Sequence, residues 1–166
     1  MKLIRLPWIV AAAVIAAPAA AQAPGLIGTG KAVAVAEAAL SGRAISAELD
    51  REKGRIVYEV ELVRGNSLYE TVVDARTGKV IGTDRRRLES LWASYFDKAR
   101  LRAPSRSLSA TLAAIEKETG GRVDEISLDV DGATPIYEVE VTTAAGTAEI
   151  AIDATTGERL PSAIAD

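Results

Sequence analysis

Two kinds of periodicity run through residues 28–161. Val33, Ala36 and Leu40 share one helical face, and Leu108, Leu112, Ile115 and Thr119 fall at i, i+4, i+7 and i+11. That spacing predicts two amphipathic helices, each ending near a glycine, Gly42 or Gly121, expected in the left-handed conformation. After each helix the period drops to two. Ile45, Ala47 and Leu49 alternate with polar residues, then Tyr58, Val60 and Leu62, then Tyr69, Thr71 and Val73. The later set is Ile126 and Leu128, then Tyr137, Val139 and Val141, then Ala148, Ile150 and Ile152. These read as strands with one buried face and one wet face. Gly54, Gly65-Asn66 and Gly132 mark turns, and Val80-Ile81 predicts a further short strand.

The two sets are one unit written twice. A shift of 79 residues lays Tyr58-Glu59-Val60-Glu61 on Tyr137-Glu138-Val139-Glu140, and Asp74-Ala75-Arg76-Thr77-Gly78 on Asp153-Ala154-Thr155-Thr156-Gly157. Gly42-Arg43 falls on Gly121-Arg122, Leu49-Asp50 on Leu128-Asp129 and Glu37 on Glu116, without a gap. Such self-similarity predicts a tandem repeat, with copies at 28–82 and 107–161. Each copy is α-β-β-β with a short fourth strand, a helix on an antiparallel sheet, so the fold class is α+β. A unit of this size is marginal alone. The two copies are therefore expected to pack together and share a core, with a two-bead arrangement as the alternative.

Between the copies, residues 83–106 differ in character. They carry Arg85, Arg86, Arg87, Lys98, Arg100, Arg102 and Arg106 against Asp84, Glu89 and Asp97, a net of +4, whereas copy two to the C-terminus has a net of −9. Leu88, Leu91, Trp92, Tyr95, Phe96 and Ala99 recur at helical spacing, which predicts a basic amphipathic connector helix. Two readings compete for it: an aromatic face packed on the sheets, or a surface for a partner protein or an anionic membrane. On the second reading Arg85, Arg86, Arg87, Trp92, Tyr95 and Phe96 are the candidate partner-binding residues.

The chain of 166 residues has no cysteine and no histidine, and its 20 basic and 23 acidic side chains nearly balance. This removes disulfides, thiol nucleophiles, a Ser-His-Asp triad and an ordinary zinc site. It also argues against nucleic acid as a partner. Residues 1–21 have the form of a signal peptide: Lys2 and Arg5, an apolar stretch from Leu6 to Ala17, and a small-x-small site at Ala19-Ala20-Ala21. A second small-x-small site, Ala21-Gln22-Ala23, is followed by Pro24, so cleavage after Ala21 is favoured, and a periplasmic or otherwise extracytoplasmic location follows.

The Tyr-Glu-Val-Glu strand, followed by Val73-Asp74-Ala75-Arg76-Thr77-Gly78-Lys79-Val80 and preceded by a helix and Gly-Arg, resembles the PepSY domain family. The likeness extends over residues 30–82 and 107–160, departing mildly at Glu158-Arg159-Leu160. The resemblance implies a small extracytoplasmic α+β module, found in propeptides of thermolysin-like metallopeptidases and as free-standing exported proteins. It also implies a role in restraining peptidases of the cell envelope. Tyr58, Asp74, Gly78, Tyr137, Asp153 and Gly157 are the family-motif residues, read as structural.

Glu59, Glu61 and Glu70, with Glu138, Glu140 and Glu149, raise the question of acid-base chemistry or Ca²⁺ binding. Alternating glutamates on a wet strand face are the simpler reading, since no glycine-bearing calcium loop accompanies them. No catalytic residue, metal or cofactor is therefore expected. The expected function is a non-enzymatic exported module that modulates or inhibits an envelope peptidase. The alternative is a structural or sensory adaptor that docks a partner or the membrane surface through the connector. The expected partner is another envelope protein.

Overall fold

The computed structural model describes residues 25–86, 107–130 and 134–161. The expected signal peptide and residues 87–106 of the connector, with Arg87, Trp92, Tyr95 and Phe96, lie outside the described residues, as does Gly132. Copy one contributes α1 (Thr29–Leu40), β1 (Arg43–Glu52), β2 (Arg55–Arg64), β3 (Ser67–Asp74) and β4 (Val80–Arg85). Copy two contributes α2 (Leu108–Thr119), β5 (Arg122–Asp129), β6 (Ile136–Thr143) and β7 (Gly146–Asp153).

All seven strands form one antiparallel sheet in the order β4-β3-β2-β1-β5-β6-β7. Tight hairpins set the register. Lys53 (φ 47°) and Gly54 (φ 83°) join Glu52 to Arg55, the two positive-φ positions that a twisted hairpin favours. The copies meet where β1 pairs β5, with Ser46 opposite Ser127, Ala47 opposite Ile126 and Glu48 opposite Glu125. Under the 79-residue shift Ala47 is the counterpart of Ile126, Ser46 of Glu125 and Glu48 of Ser127. The junction is therefore an internal two-fold: each copy offers the same strand to the other, as in an isologous dimer.

Both helices lie on one face of the sheet and touch each other. Ala32, Val33 and Ala36 of α1 join Leu108, Leu112 and Ile115 of α2, and Ile45, Ala47, Tyr58, Val60, Leu62, Ile126, Tyr137 and Val139 from the sheet, in one buried cluster. The copies thus share a core, as the size of one unit demanded. The α1 hydroxyl of Thr29 ties the halves further, donating to the Val123 carbonyl at 2.5 Å.

One local expectation needs correction. The left-handed residues that end the helices are Ser41 (φ 52°) and Gly120 (φ 61°), one position before Gly42 and Gly121. Gly42 and Gly121 are required for closeness instead. A Cβ on Gly121 would lie 2.5 Å from Val141 Cγ1 and 3.0 Å from the Thr142 carbonyl, and one on Gly42 3.1 Å from the Val63 carbonyl. The chain must pass against the neighbouring strand at this point for β1 and β5 to enter the sheet.

Candidate interaction surface

The family-motif residues are fully engaged in holding the fold. Asp74 Oδ1 accepts from the N–H groups of Arg76 (3.1 Å) and Thr77 (2.8 Å) and from the Thr77 hydroxyl (2.8 Å). Asp153 Oδ1 repeats this with Thr155 (2.8 Å) and Thr156 (2.7 Å). The backbone hydrogen bonds from Thr77 and Thr156 hold both carboxyls below the usual aspartate range. Gly78 (φ 69°) and Gly157 (φ 79°) then reverse the chain, each donating to the carbonyl of its aspartate. An aspartate bound into its own turn orders a loop and has little left for acid-base work. Tyr58 and Tyr137 are buried on the helix side of the sheet. Burial pushes the Tyr58 hydroxyl pKa upward, partly offset by Thr29 and the Gly28 backbone nearby, and that oxygen makes no well-formed hydrogen bond among the described residues.

A further motif residue escaped the sequence reading. Glu37 Oε1 accepts the Ala44 N–H at 3.0 Å, where β1 bulges between Ala44 and Ser46. Its repeat partner Glu116 bonds the Val123 N–H at the equivalent bulge of β5. A bulge leaves one backbone group unpaired, and the helix glutamate satisfies it. The repeated Glu37 and Glu116 were the only signal for this role.

The copies differ at those bulges. Ile45 is fully buried in copy one, whereas Asp124 takes the equivalent place in copy two. Asp124 meets Arg122 Nε at 2.5 Å and Nη2 at 3.0 Å and accepts from the Thr142 hydroxyl at 2.7 Å. Burial alone would raise its pKa, but the Arg122 and Thr142 hydrogen bonds outweigh it, and the carboxyl stays below the usual range.

The wet face of the sheet is acidic from end to end. Glu59, Glu48, Glu125, Glu140 and Glu149 stand opposite one another in succession on β2, β1, β5, β6 and β7. In the adjacent row Asp84, Glu70 and Glu61 are opposed on β4, β3 and β2. Like charges directly opposite are unfavourable. Partial burial first, and neighbouring carboxylates second, push Glu59 and Glu125 above the usual glutamate range. Even so, among the described residues no three such groups converge to hold a metal ion.

Of the basic candidates, Arg85 and Arg86 are described, and both turn back onto copy one. Arg85 Nη2 donates to the Ser67 hydroxyl at 2.8 Å, and Arg86 pairs with Glu61. Sequence reasoning placed them with the connector, whereas Arg85 is the last residue of β4.

The family model described as "Peptidase propeptide and YPEB domain", PepSY, matches residues 27–84 and 107–160. The chain belongs to the PepSY family. It carries the PepSY domain twice, and the two domains are the halves of the single sheet. It is 30% identical over 137 residues to the uncharacterized protein YkoJ of Bacillus subtilis strain 168, spanning 82% of this chain and 74% of YkoJ. It is also similar to a crystal structure of a candidate lipoprotein from Clostridium difficile 630. That match has 23% identity and a TM-score of 0.47, and covers 82% of this chain and 92% of the other.

Proposed function

We propose that this tandem PepSY chain is an exported, non-catalytic binding module that modulates or restrains a peptidase of the cell envelope. The observation that carries the reading is the engagement of the repeated residues. Both aspartates are bound into their turns, both tyrosines are buried and both helix glutamates sit at bulges, so the repeat encodes a scaffold that presents surface. Export rests on the signal-like residues 1–21, and the peptidase on the family's occurrence as a peptidase propeptide. The test adds purified residues 22–166 to isolated envelope peptidases and measures hydrolysis of a peptide substrate. Inhibition at micromolar concentration or below is expected. Unchanged rates for every envelope peptidase, with none recovered by crosslinking in cells, overturn the reading.

A further inference from the structure

The wet face of copy one is less wet than its glutamates suggest. Tyr58, Val60 and Leu62 of β2 point to the helices, so Val57, Glu59, Glu61 and Val63 point away from them, with Leu68 opposite Val63 and Glu70 opposite Glu61 on β3. Val57 is 0% exposed, yet it is not part of the cluster beneath the helices. Val63 and Leu68, at the other end of the same face, are 9% and 2% exposed. Copy two is an internal control. Under the 79-residue shift the counterparts are Ile136, Thr142 and Thr147, of which the first two are half-buried and the third is exposed. Ile136 is flanked by Asp129 and Asp153 just as Val57 is flanked by Asp50 and Asp74. It is the larger side chain and still the more exposed, so the flanking strands do not by themselves bury Val57. Glu59 and Glu70 are likewise half-buried where Glu138 and Glu149 are exposed.

The chain itself arrives on this face. Just past the end of β4 the Arg86 N–H donates to the Leu68 carbonyl at 3.0 Å, and the Arg86 side chain pairs with Glu61. Residues 87–106 come next in sequence. They carry Arg87, Lys98, Arg100, Arg102 and Arg106 against Glu89 and Asp97, a net of +3. The face beside Arg86 carries Glu59, Glu61, Glu70 and Asp84, so the charges are complementary. The lengths agree as well. A helix over the twelve residues Leu88–Ala99 would rise about 18 Å. The stretch from Val57 to Val63 is six strand residues, about 20 Å.

We infer that residues 87–106 dock on the wet face of copy one, setting Trp92, Tyr95 and Phe96 against Val57, Val63 and Leu68 and their basic side chains beside Glu59 and Glu70. Burying the aromatic rings against these aliphatic groups supplies the attachment, and the charge pairs set the orientation. The sequence pattern left those rings two places, the sheet or a partner. On the sheet they belong to the chain's own fold, and a partner of the module meets other surface.

Trp92 is the only tryptophan in residues 22–166, so the fluorescence of the mature chain reports its surroundings alone. Its emission should be shifted to the blue of N-acetyltryptophanamide in water. Leu68→Lys should shift it back to the free value, whereas Thr147→Lys, at the counterpart position in copy two, should leave it unchanged. Nuclear Overhauser effects from the Trp92 indole to the methyl groups of Val57, Val63 or Leu68 are expected in the parent protein, and they decide the matter if Leu68→Lys does not fold. Trp92 emission at the free value overturns the inference, and would leave a partner or residues 1–21 as the cover. Indole contacts to the helix-side methyl groups of Val33 or Leu112 overturn it too. So do contacts that appear only between labelled and unlabelled chains, which would mark a second copy as the occupant. None of these outcomes depends on peptidase inhibition, so the inference and the proposed function stand or fall separately.

Discussion

Replacing Ile126 by alanine tests whether the two PepSY halves are one thermodynamic unit. Ile126 is fully buried and stands opposite Ala47 on the internal two-fold, in the β1–β5 pair that joins the copies. The substitution deletes three carbon atoms from the shared cluster. At about 0.8 kcal/mol per methylene the transfer loss is about 2.4 kcal/mol. An unfilled cavity brings the total to about 3–4 kcal/mol, within the range for aliphatic-to-alanine changes in cores. Against a typical stability of about 5–15 kcal/mol this is a large fraction. With a urea m-value of about 2 kcal/mol/M the midpoint should fall by roughly 1.5–2 M. The assay is urea unfolding followed by amide resonances of Val60 in copy one and Val139 in copy two. Both should report one transition that moves as a whole. If Val139 shifts and Val60 keeps its parent midpoint, the shared core does not couple the halves and the reasoning fails.

Further outcomes follow from the same geometry. Tyr58→Phe removes a buried hydroxyl that makes no well-formed hydrogen bond, with Thr29 and the Gly28 backbone only nearby, so it should leave stability unchanged or raise it by about 1 kcal/mol; a loss of more than about 1 kcal/mol in thermal unfolding would show that the hydroxyl is satisfied. Gly121→Ala drives a Cβ to 2.5 Å from Val141 and should cost about 1–3 kcal/mol, more than Gly42→Ala, where the nearest atom is 3.1 Å away; equal melting temperatures for the two variants would contradict this. The pH profile has two limbs. Glu59, Glu116 and Glu125 have raised pKa values, so the stability they contribute is full below the ordinary glutamate value of 4.5 and is lost as pH rises through the folded values. Asp74, Asp124 and Asp153 have lowered values, so theirs is present above 3.8 and lost as pH falls through the folded values. Melting temperature should therefore peak in mild acid, near the interval between those two ordinary values, and a steady fall from pH 7 to pH 4.5 would refute the carboxylate argument. Asp74→Ala should lower the melting temperature and speed exchange of the Arg76 and Thr77 amides, and unchanged exchange there would remove the turn-capping role.

Much of this was legible in one dimension. Helix and strand positions follow from local period, and the repeat follows from a gapless 79-residue shift, because neither needs knowledge of what lies across the core. The turn chemistry of Asp74-Ala75-Arg76-Thr77-Gly78 is local for the same reason: donor and acceptor are two to three residues apart. The alternation of Glu59 and Glu61 with Val60 already assigned them to the wet face. Other features depend on long-range pairing. That β1 lies against β5, rather than each copy closing on itself, is decided by burial: neither helix covers enough sheet alone, and joining like strands merges two marginal cores. The register of that pairing lines up Glu59, Glu48, Glu125, Glu140 and Glu149, five glutamates dispersed over 102 sequence positions. Glu37 and Glu116 acquire their roles only because bulges in β1 and β5 free an N–H above the helix end. Gly42 and Gly121 were placed correctly at the helix ends but for the wrong reason, since backbone approach between distant strands leaves no trace in local pattern. Local pattern along the chain sets the repeated unit, its elements and its wet and dry faces. How the two units join was settled only by long-range pairing, because strand neighbours are chosen by the surface they bury together.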